Sequence, residues 1–230
     1  MQKVVLLQRA LIYLITMPLI EHRTLATEGE IGLWRITESE AWFRQQLSLK
    51  SEEEEQLAQI KGFRRLEWLA ARQLVHEMSG REHRGMFIKD EFGKPHLEDA
   101  DWYISISHSN HLSAAIAGPN PVGIDIQKLV GKITRIIPRF MSDREQSSLA
   151  EATIIPHAHV YWGAKEALYK AYGRKELDLC RHIKVEPFAW QDPKGQSQAL
   201  VAKGDYYQEF VIHYELRDTD FMLVWCEEVS

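Results

Sequence analysis

Two short stretches of the sequence hold the side chains best suited to chemistry. In residues 162–170 an acid, Glu166, and a base, Lys170, are one helical turn apart and share a helix face. In residues 122–127 apolar and polar residues alternate, which predicts a strand with Asp125 among apolar neighbours. A carboxylate buried without a partner is costly, and a metal ion or a basic group would offset that cost. The pattern therefore predicts a cation near Asp125.

The overall composition is that of a globular chain without strong affinity for nucleic acid. Its 230 residues are 45% hydrophobic and 27% charged, enough to bury a core. The net charge of -5 argues against nucleic acid partners, because the phosphate backbone favours basic surfaces. Cys180 and Cys226 lack metal-ligand spacing and are too few for a disulfide framework, which predicts a reducing, cytoplasmic location.

The first twenty residues are apolar but form neither a clear membrane span nor a signal peptide. Residues 4–20 are rich in Leu and Ile, yet Gln8 and Arg9 interrupt them and the run is short for a bilayer. A basic start and a small-residue cleavage site are both missing. We expect residues 1–16 to be an upstream extension, Met17 to be the true start, and the protein not to bind membranes.

Two long helices are predicted from the spacing of apolar side chains. The first follows Ser51, whose side chain can cap the acidic run after it, and ends at Gly80. The second covers residues 156–172 and ends at Gly173. Residues 133–150 are expected to be helical with an interruption.

Three arginines of the first long helix could act together. Arg65 and Arg72 are seven residues apart and lie on similar sides, while Arg64 is about 100° round the axis. Such a cluster could hold a phosphate, because the guanidinium presents planar donors to phosphate oxygens. It could equally be a solvated basic face paired with Glu67. Spacing alone does not choose between the two.

The order of elements suggests an internal duplication. Trp68 and Trp162 are each followed by a charged residue at offset four and a Leu at offset six, and strands follow both helices. We expect an α+β fold of two similar halves, each with a long helix packed on an antiparallel sheet, at residues 17–118 and 119–230. Such a pseudodimer should be monomeric in solution. A binding site is expected at the seam, because clefts form where domains meet.

Four motifs in register resemble those of a known family. Residues 122–126 followed by 162–170 look like the signature pair of the 4'-phosphopantetheinyl transferases. Residues 93–95 (Gly-Lys-Pro) and 106–109 (Ile-Ser-His-Ser) resemble two further motifs of the larger, pseudodimeric type, which activates surfactin synthetase and other peptide or polyketide synthases. The resemblance runs from about residue 64 to residue 172.

The resemblance implies a reaction. The phosphopantetheine arm of coenzyme A would be transferred to a serine of an apo acyl or peptidyl carrier protein, with release of 3',5'-ADP. Asp125 and Glu166 would be the protein ligands of Mg²⁺, which neutralises charge on the pyrophosphate. Glu166, or a water on the metal, is the candidate base for the carrier serine. Lys170 would lie against the pyrophosphate and assist the leaving group.

The same resemblance implies a set of coenzyme A contacts. The residues expected to make them are Arg64, Lys94, Pro95, Ser107, His108, Lys165 and Lys170. Arg64 is expected to bind the 3'-phosphate, with Arg65 and Arg72 as alternatives. Lys165 is expected to face coenzyme A or the seam, and Trp162 to be packed in the core.

One position departs from the family pattern. Many members carry a second acid two residues after the strand aspartate, whereas this chain has Gln127. An amide oxygen could ligate Mg²⁺ weakly or orient a metal-bound water, but it brings no charge. Gln127 is therefore a possible third ligand.

Two other functions remain open on the sequence. The chain could be a catalytically weakened homologue that binds coenzyme A or a carrier protein as an interaction module, as Gln127 allows. It could also be another Mg²⁺-dependent enzyme acting on a nucleotide pyrophosphate. Glu166 and Lys170 could then be an ordinary helix-surface pair.

Overall fold

The computed structural model describes residues 18–229, so the expected extension at residues 1–16 and the start at Met17 lie outside it. Within the described residues no helix has the length and apolar character needed to cross a membrane. The strands are β1 (Leu19–Thr24), β2 (Glu30–Arg35), β3 (Phe87–Lys89), β4 (Pro95–Leu97), β5 (Tyr103–Ser109), β6 (Leu112–Gly118), β7 (Val122–Lys128), β8 (Ile183–Val185), β9 (Lys194–Lys203), β10 (Tyr206–Arg217) and β11 (Phe221–Glu228). The α-helices are α1 (Glu40–Leu47), α2 (Ser51–Ala58), α3 (Arg64–Ser79), α4 (Ile137–Phe140), α5 (Asp143–Gln146) and α6 (Ile154–Tyr172).

The helix predicted from Ser51 to Gly80 is in fact two helices, which corrects the sequence-based expectation. Helix α2 ends at Ala58 and α3 starts at Arg64. Between them Gly62 has a φ of +63°, a left-handed backbone conformation that a continuous helix does not contain. Apolar residues keep helical spacing across this break because both helices turn their apolar faces to the same core.

The strands form two antiparallel sheets, one in each half of the chain. The N lobe, which comprises β1–β6 and α1–α3, has the strand order β1-β2-β6-β5-β4-β3. The C lobe, which comprises β7–β11 and α4–α6, has the order β7-β11-β10-β9-β8. Helix α3 packs on β2 and β6, and α6 packs on β7 and β11.

The two lobes share one topology. When β1 is set aside, the N-lobe order 2-6-5-4-3 becomes the C-lobe order 7-11-10-9-8 by adding five to each number. In each lobe a strand precedes the long helix, four strands follow it, and the last of these pairs with the first strand. The α+β fold of two similar halves is therefore confirmed. Their separation into domains at residues 118 and 119 stays a prediction.

The seam between the lobes has an apolar part and a polar part. Strands β2, β6, β7 and β11 bury a shared cluster of apolar side chains that includes Ile116 and Ile124. Alternate serines of β5 accept hydrogen bonds from alternate backbone N–H groups of β7, all at 3.2 Å: Ser105 from Ile124, Ser107 from Ile126 and Ser109 from Lys128. These bonds fix the register of β5 against β7.

Candidate active site at the seam

Asp125 of β7 is buried and fully hydrogen bonded. Its Oδ1 accepts bonds from Ser107 Oγ at 2.8 Å and from Lys170 Nζ at 2.9 Å, and its Oδ2 accepts a longer bond from Gln127 Nε2 at 3.3 Å. The residue is only 8% exposed. Lys170 therefore supplies the cation that the sequence predicts beside this carboxylate.

Two glycines let α6 approach β7 and β11 closely. A Cβ added to Gly123 would lie 1.9 Å from the carbonyl oxygen of Ala167, and one added to Gly163 would lie 2.6 Å from Val224 Cγ2. Any larger residue at either position would push the helix away from the sheet. The close contact allows the Lys170 ammonium to reach both Asp125 and, at 2.8 Å, the carbonyl oxygen of Ile124 on β7.

Glu166 lies near Asp125 on the same side of α6 as Lys170. Burial, and next the negative charge of Asp125, raise the pKa of the Glu166 carboxyl above its ordinary value of 4.5, while Lys170 lowers it. The Lys170 ammonium thus bonds the Asp125 carboxylate, and its charge also acts on the Glu166 carboxyl. Roles for these three residues stay predictions, but the structure brings all three together.

The pair of carboxylates fits a hard divalent cation. Oxygen ligands are the preference of Mg²⁺, which is usually held by one or two carboxylates together with substrate phosphates. No cluster of three or more His, Cys, Asp or Glu side chains within residues 18–229 is arranged to hold a metal ion. Asp125 and Glu166 would therefore hold the ion together with oxygens from outside the chain.

Gln127 turns its amide nitrogen, not its oxygen, towards Asp125. Its Nε2 also donates to the backbone carbonyl of His159 at 3.1 Å, and its Oε1 lies 2.8 Å from His159 Nδ1. Because a carbonyl can only accept, the orientation of the amide is fixed. The oxygen that could have ligated a metal is occupied by a histidine that is 2% exposed.

Lys165 does not face coenzyme A or the seam, so this expectation is wrong. The side chain is fully buried in the C lobe, where its Nζ lies 2.7 Å from Glu145 Oε1. Its other donors reach the carbonyl oxygens of Leu179 at 2.9 Å and Ile183 at 2.6 Å. With three acceptors around it the ammonium is satisfied inside the lobe.

Ser107 and His108 lie on opposite faces of β5. Ser107 Oγ donates to Asp125 and accepts from the N–H of Ile126, so it is engaged at the seam and the expected phosphate contact is not supported. His108 points to the other face, where its Nδ1 lies 3.3 Å from Glu67 Oε2 and its side chain is 45% exposed. The alternation of a strand separates the two neighbours.

A first cleft of about 730 Å³ lies along α3 and the end of β5. Its lining includes Arg64, Glu67, Trp68 and His108. Arg64 is exposed, and among residues 18–229 it has no ion pair and no side-chain hydrogen bond. It is therefore available to an anionic ligand.

The other two arginines of α3 are engaged with acids. Arg65 forms two hydrogen bonds with Glu40, at 2.6 and 2.7 Å, and donates to the carbonyl oxygens of Leu57 and Ile60. Arg72 is 4% exposed, lies 3.3 Å from Glu53 and stacks on Trp68 with its guanidinium carbon 3.1 Å from the ring centre. Burial lowers the pKa of Arg72 to about 10.

A second cleft of about 370 Å³ meets the first at Trp68 and Arg72. Lys94, Pro95 and Lys170 line it, as the resemblance predicts for a ligand site. Lys94 reaches across from the N lobe, and its Nζ donates to the carbonyl of Ala171 at 2.8 Å, in the last turn of α6. Burial lowers the pKa of the Lys94 ammonium.

Sequence reasoning missed three further cations of the second cleft. Lys89, Arg174 and Lys175 also line it, and no acidic side chain does so among the described residues. A signal was present for two of them, because Arg174 and Lys175 directly follow the glycine that ends α6. The cleft is therefore suited to a polyanion.

Comparison with known proteins supports the resemblance. Residues 121–226 match a family model described as the 4'-phosphopantetheinyl transferase superfamily. Over 150 residues, 64% of this chain, the chain is 27% identical to the 4'-phosphopantetheinyl transferase gsp of Aneurinibacillus migulanus. Over 92 residues, 38% of the chain, it is 32% identical to the 4'-phosphopantetheinyl transferase ffp of Bacillus subtilis.

The matches cover 60% of the first relative and 41% of the second, so the chain spans less than two thirds of either. The matched segment nevertheless contains β7 and α6, with Asp125, Glu166 and Lys170. The two lobes also agree with the pseudodimeric type named by the resemblance. Over residues 121–226 this chain is therefore similar to the 4'-phosphopantetheinyl transferase superfamily.

Proposed function

We propose that the protein transfers the 4'-phosphopantetheine arm of coenzyme A to a serine of an apo acyl or peptidyl carrier protein, in an Mg²⁺-dependent reaction that releases 3',5'-ADP. The convergence of Asp125, Glu166 and Lys170 between β7 and α6, beside a cleft lined by cations, carries this proposal. The residues fit the ion and the charge of the substrate, and the relatives bear the same activity in their names.

The chain's own residues divide the chemistry. Lys170 lines the second cleft, where its ammonium can stabilise negative charge on the leaving phosphate. Glu166 is partly buried with a raised pKa, which suits a general base that takes the proton of the carrier serine. Asp125 is held by three donors and would keep its orientation through the reaction. Asp125 and Glu166 would hold Mg²⁺, which would supply positive charge to neutralise the pyrophosphate.

The two clefts offer separate sites for the phosphates of coenzyme A. Arg64 and His108 in the first cleft are exposed, and we assign the 3'-phosphate to Arg64. Arg65 is not assigned to this phosphate because Glu40 already occupies its guanidinium. Lys94 and Lys170 in the second cleft would lie nearer the pyrophosphate.

A basic surface next to the site suits an acidic carrier protein. Directly after Gln127 four exposed cations follow in the sequence with no acid until Asp143: Lys128, Lys132, Arg135 and Arg139. The first of them, Lys128, lies 3.9 Å from Asp220. On a protein of net charge -5 such a local patch would steer an acidic partner to the site. We place the carrier on this side of the seam.

The location and the oligomeric state follow as part of the proposal. Cys180 and Cys226 are free thiols, as a reducing cytoplasm would keep them. One chain contains both lobes and the cleft between them, so a monomer would hold a complete site.

The deciding experiment is a mass measurement. The purified protein is incubated with coenzyme A, Mg²⁺ and an apo carrier protein, and the carrier should gain the mass of one phosphopantetheine arm on its serine. A matched reaction with a carrier whose acceptor serine is replaced by alanine should give no gain. An unchanged carrier in the first reaction would reject the proposed transfer.

The same experiment separates the other two functions. A binding module would bind coenzyme A, seen by calorimetry, and leave the carrier unmodified. An enzyme acting on nucleotide pyrophosphates would consume coenzyme A at an equal rate without any carrier. No observation on this structure favours either function over the transfer.

A further inference from the structure

A chain of partly buried hydrogen bonds links His159 of α6 to Asp125 through Gln127. The ring nitrogen Nδ1 of His159 lies 2.8 Å from Gln127 Oε1, and Gln127 Nε2 lies 3.3 Å from Asp125 Oδ2. The same amide nitrogen donates to the backbone carbonyl of His159 at 3.1 Å. His159 therefore holds both the oxygen and the nitrogen of the Gln127 amide.

The protonation of the His159 ring follows from its neighbours. Gln127 Oε1 can only accept, so Nδ1 must carry the proton and donate. On the other side of the ring, Nε2 lies 3.0 Å from the N–H of Val130 and 3.3 Å from its carbonyl oxygen. The shorter contact is to a group that can only donate, so Nε2 accepts. Both contacts agree on the tautomer with the proton on Nδ1.

The hydrogen-bond chain that starts at His159 ends in the donor to one of the two oxygens of Asp125. Ser107 and Lys170 both bond Oδ1, so Gln127 alone fixes Oδ2 among the described side chains. Outer partners of this kind set the orientation of metal-binding carboxylates and histidines. We propose that His159 is a positioning residue that locks the Gln127 amide and through it orients the Asp125 carboxylate towards the divalent cation. This inference rests on the proposed function, because it assigns a task to the metal site.

The same geometry explains what Gln127 does in place of an acid. A glutamate there would direct carboxylate oxygens at the His159 carbonyl and at Asp125 Oδ2, where the amide now donates. Acceptors facing acceptors are unfavourable in a buried site. Gln127→Glu should therefore weaken, not tighten, binding of a divalent cation to this protein.

The test compares two buried histidines of α6. His159→Phe removes the ring donor, and His157→Phe is the matched control, because both ring nitrogens of His157 lack a partner among the described residues. The two residues are 2% and 1% exposed. Affinity for Mn²⁺ is measured by electron paramagnetic resonance on the full chain in the presence of coenzyme A. Loss of the outer partner should weaken binding by about 10-fold or more in His159→Phe, with no change in His157→Phe.

A double-mutant cycle tests whether His159 acts through Gln127. The double variant Gln127→Ala with His159→Phe should bind Mn²⁺ no more weakly than Gln127→Ala alone. Equal effects of the two histidine variants, or additive effects in the cycle, would overturn the proposal. So would a failure of the unmodified protein to bind Mn²⁺.

A measurement on the unmodified protein covers the case in which a variant does not fold. Nitrogen NMR of the imidazole rings should show His159 with its proton on Nδ1, and a proton on Nε2 instead would overturn the proposal. The carrier assay separates this inference from the function. Transfer by the wild type with equal Mn²⁺ affinities in both histidine variants rejects only the positioning role. A selective His159 effect without transfer rejects only the proposed function.

Discussion

The two lobes contain the same buried ion pair, built from equivalent elements. In the N lobe Glu53 accepts the N–H of Lys50 at the start of α2 and pairs with Arg72 of the long helix at 3.3 Å. In the C lobe Glu145 accepts the N–H of Ser142 at the start of α5 and pairs with Lys165 of the long helix at 2.7 Å. The shared topology and this shared pair indicate one scaffold used twice.

The two ion pairs differ in whether their cation lies against a cleft. Lys165 has all its donors satisfied within the C lobe and is 0% exposed. Arg72 lines both clefts, and Glu53 has a second partner in Arg84. The N-lobe cation, although 4% exposed, therefore borders both clefts, whereas the C-lobe cation is enclosed within its lobe.

The strands that precede the long helices, β2 and β7, also differ between the lobes. Gly32 and Gly123 each face the long helix of their lobe at close range. Two residues later the N lobe has Trp34, packed with Phe43, and the C lobe has Asp125, bonded to Lys170. The scaffold thus keeps its shape while the same strand position holds an aromatic core residue in the N lobe and an acid in the C lobe.

The largest effect is expected from the acids of the C lobe. Asp125→Asn and Glu166→Gln should each lower kcat by on the order of 100-fold to 1,000-fold, because charge that matters in the transition state is lost. The measurement is the rate of carrier modification. Glu52→Gln, at an exposed acid of the N lobe, is the control. Near-normal turnover in either site variant would remove the C-lobe acids from the chemistry.

The next effect separates the two buried pairs. Lys165→Met should lower the free energy of unfolding by about 3 to 5 kcal/mol, because Glu145 is left as an uncompensated buried charge. Arg72→Met should cost less, since Glu53 keeps Arg84, but it should raise the KM for coenzyme A. Denaturant unfolding and steady-state kinetics measure the two quantities. A raised KM in Lys165→Met with normal stability would contradict the comparison.

A smaller effect concerns the open arginine of the first cleft. Arg64→Ala should raise the KM for coenzyme A by about 10-fold to 100-fold, the value of a hydrogen bond to a charged group. The KM for 3'-dephospho-coenzyme A should change little. Arg65→Ala serves as the control, because its guanidinium is taken by Glu40. Equal losses for both substrates would reject the assignment of the 3'-phosphate.

The smallest effect is a pH dependence of stability in the C lobe. Burial lowers the pKa of His157 from 6.5 to about 4, so the folded state disfavours its protonation. The free energy of unfolding is therefore highest above pH 6.5. It falls as the pH drops from 6.5 towards 4, because in that range the unfolded state takes up a proton that the folded state does not. Between pH 7 and pH 5 this should amount to about 2 kcal/mol. Unfolding of His157→Phe at both values should show a weaker dependence than the wild type, and an unchanged dependence would refute this assignment.

The sequence was sufficient for the fold but not for every side chain of the site. Periodicity and turn signals predicted both long helices with their ends at Gly80 and Gly173, and the duplication, because these patterns are local. The break near Gly62 was missed, since apolar spacing persisted across it.

The direction of a side chain could not be predicted without knowing which elements pack beside it. Lys165 is adjacent to Glu166, yet a helix places neighbours 100° apart, and the element opposite Lys165 is α5. Ser107 and His108 were likewise expected at one site and lie on two faces of a strand. The partner of Gln127 is His159, thirty-two residues away in sequence, and no local pattern announces that contact.

The central claim is that two acids of the C lobe hold one divalent cation at the seam. Crystals grown with coenzyme A and Mn²⁺, measured for anomalous scattering, test it most directly. The account predicts an anomalous peak in contact with the carboxylates of Asp125 and Glu166. A peak bound by other side chains, or none at these two residues, would contradict it.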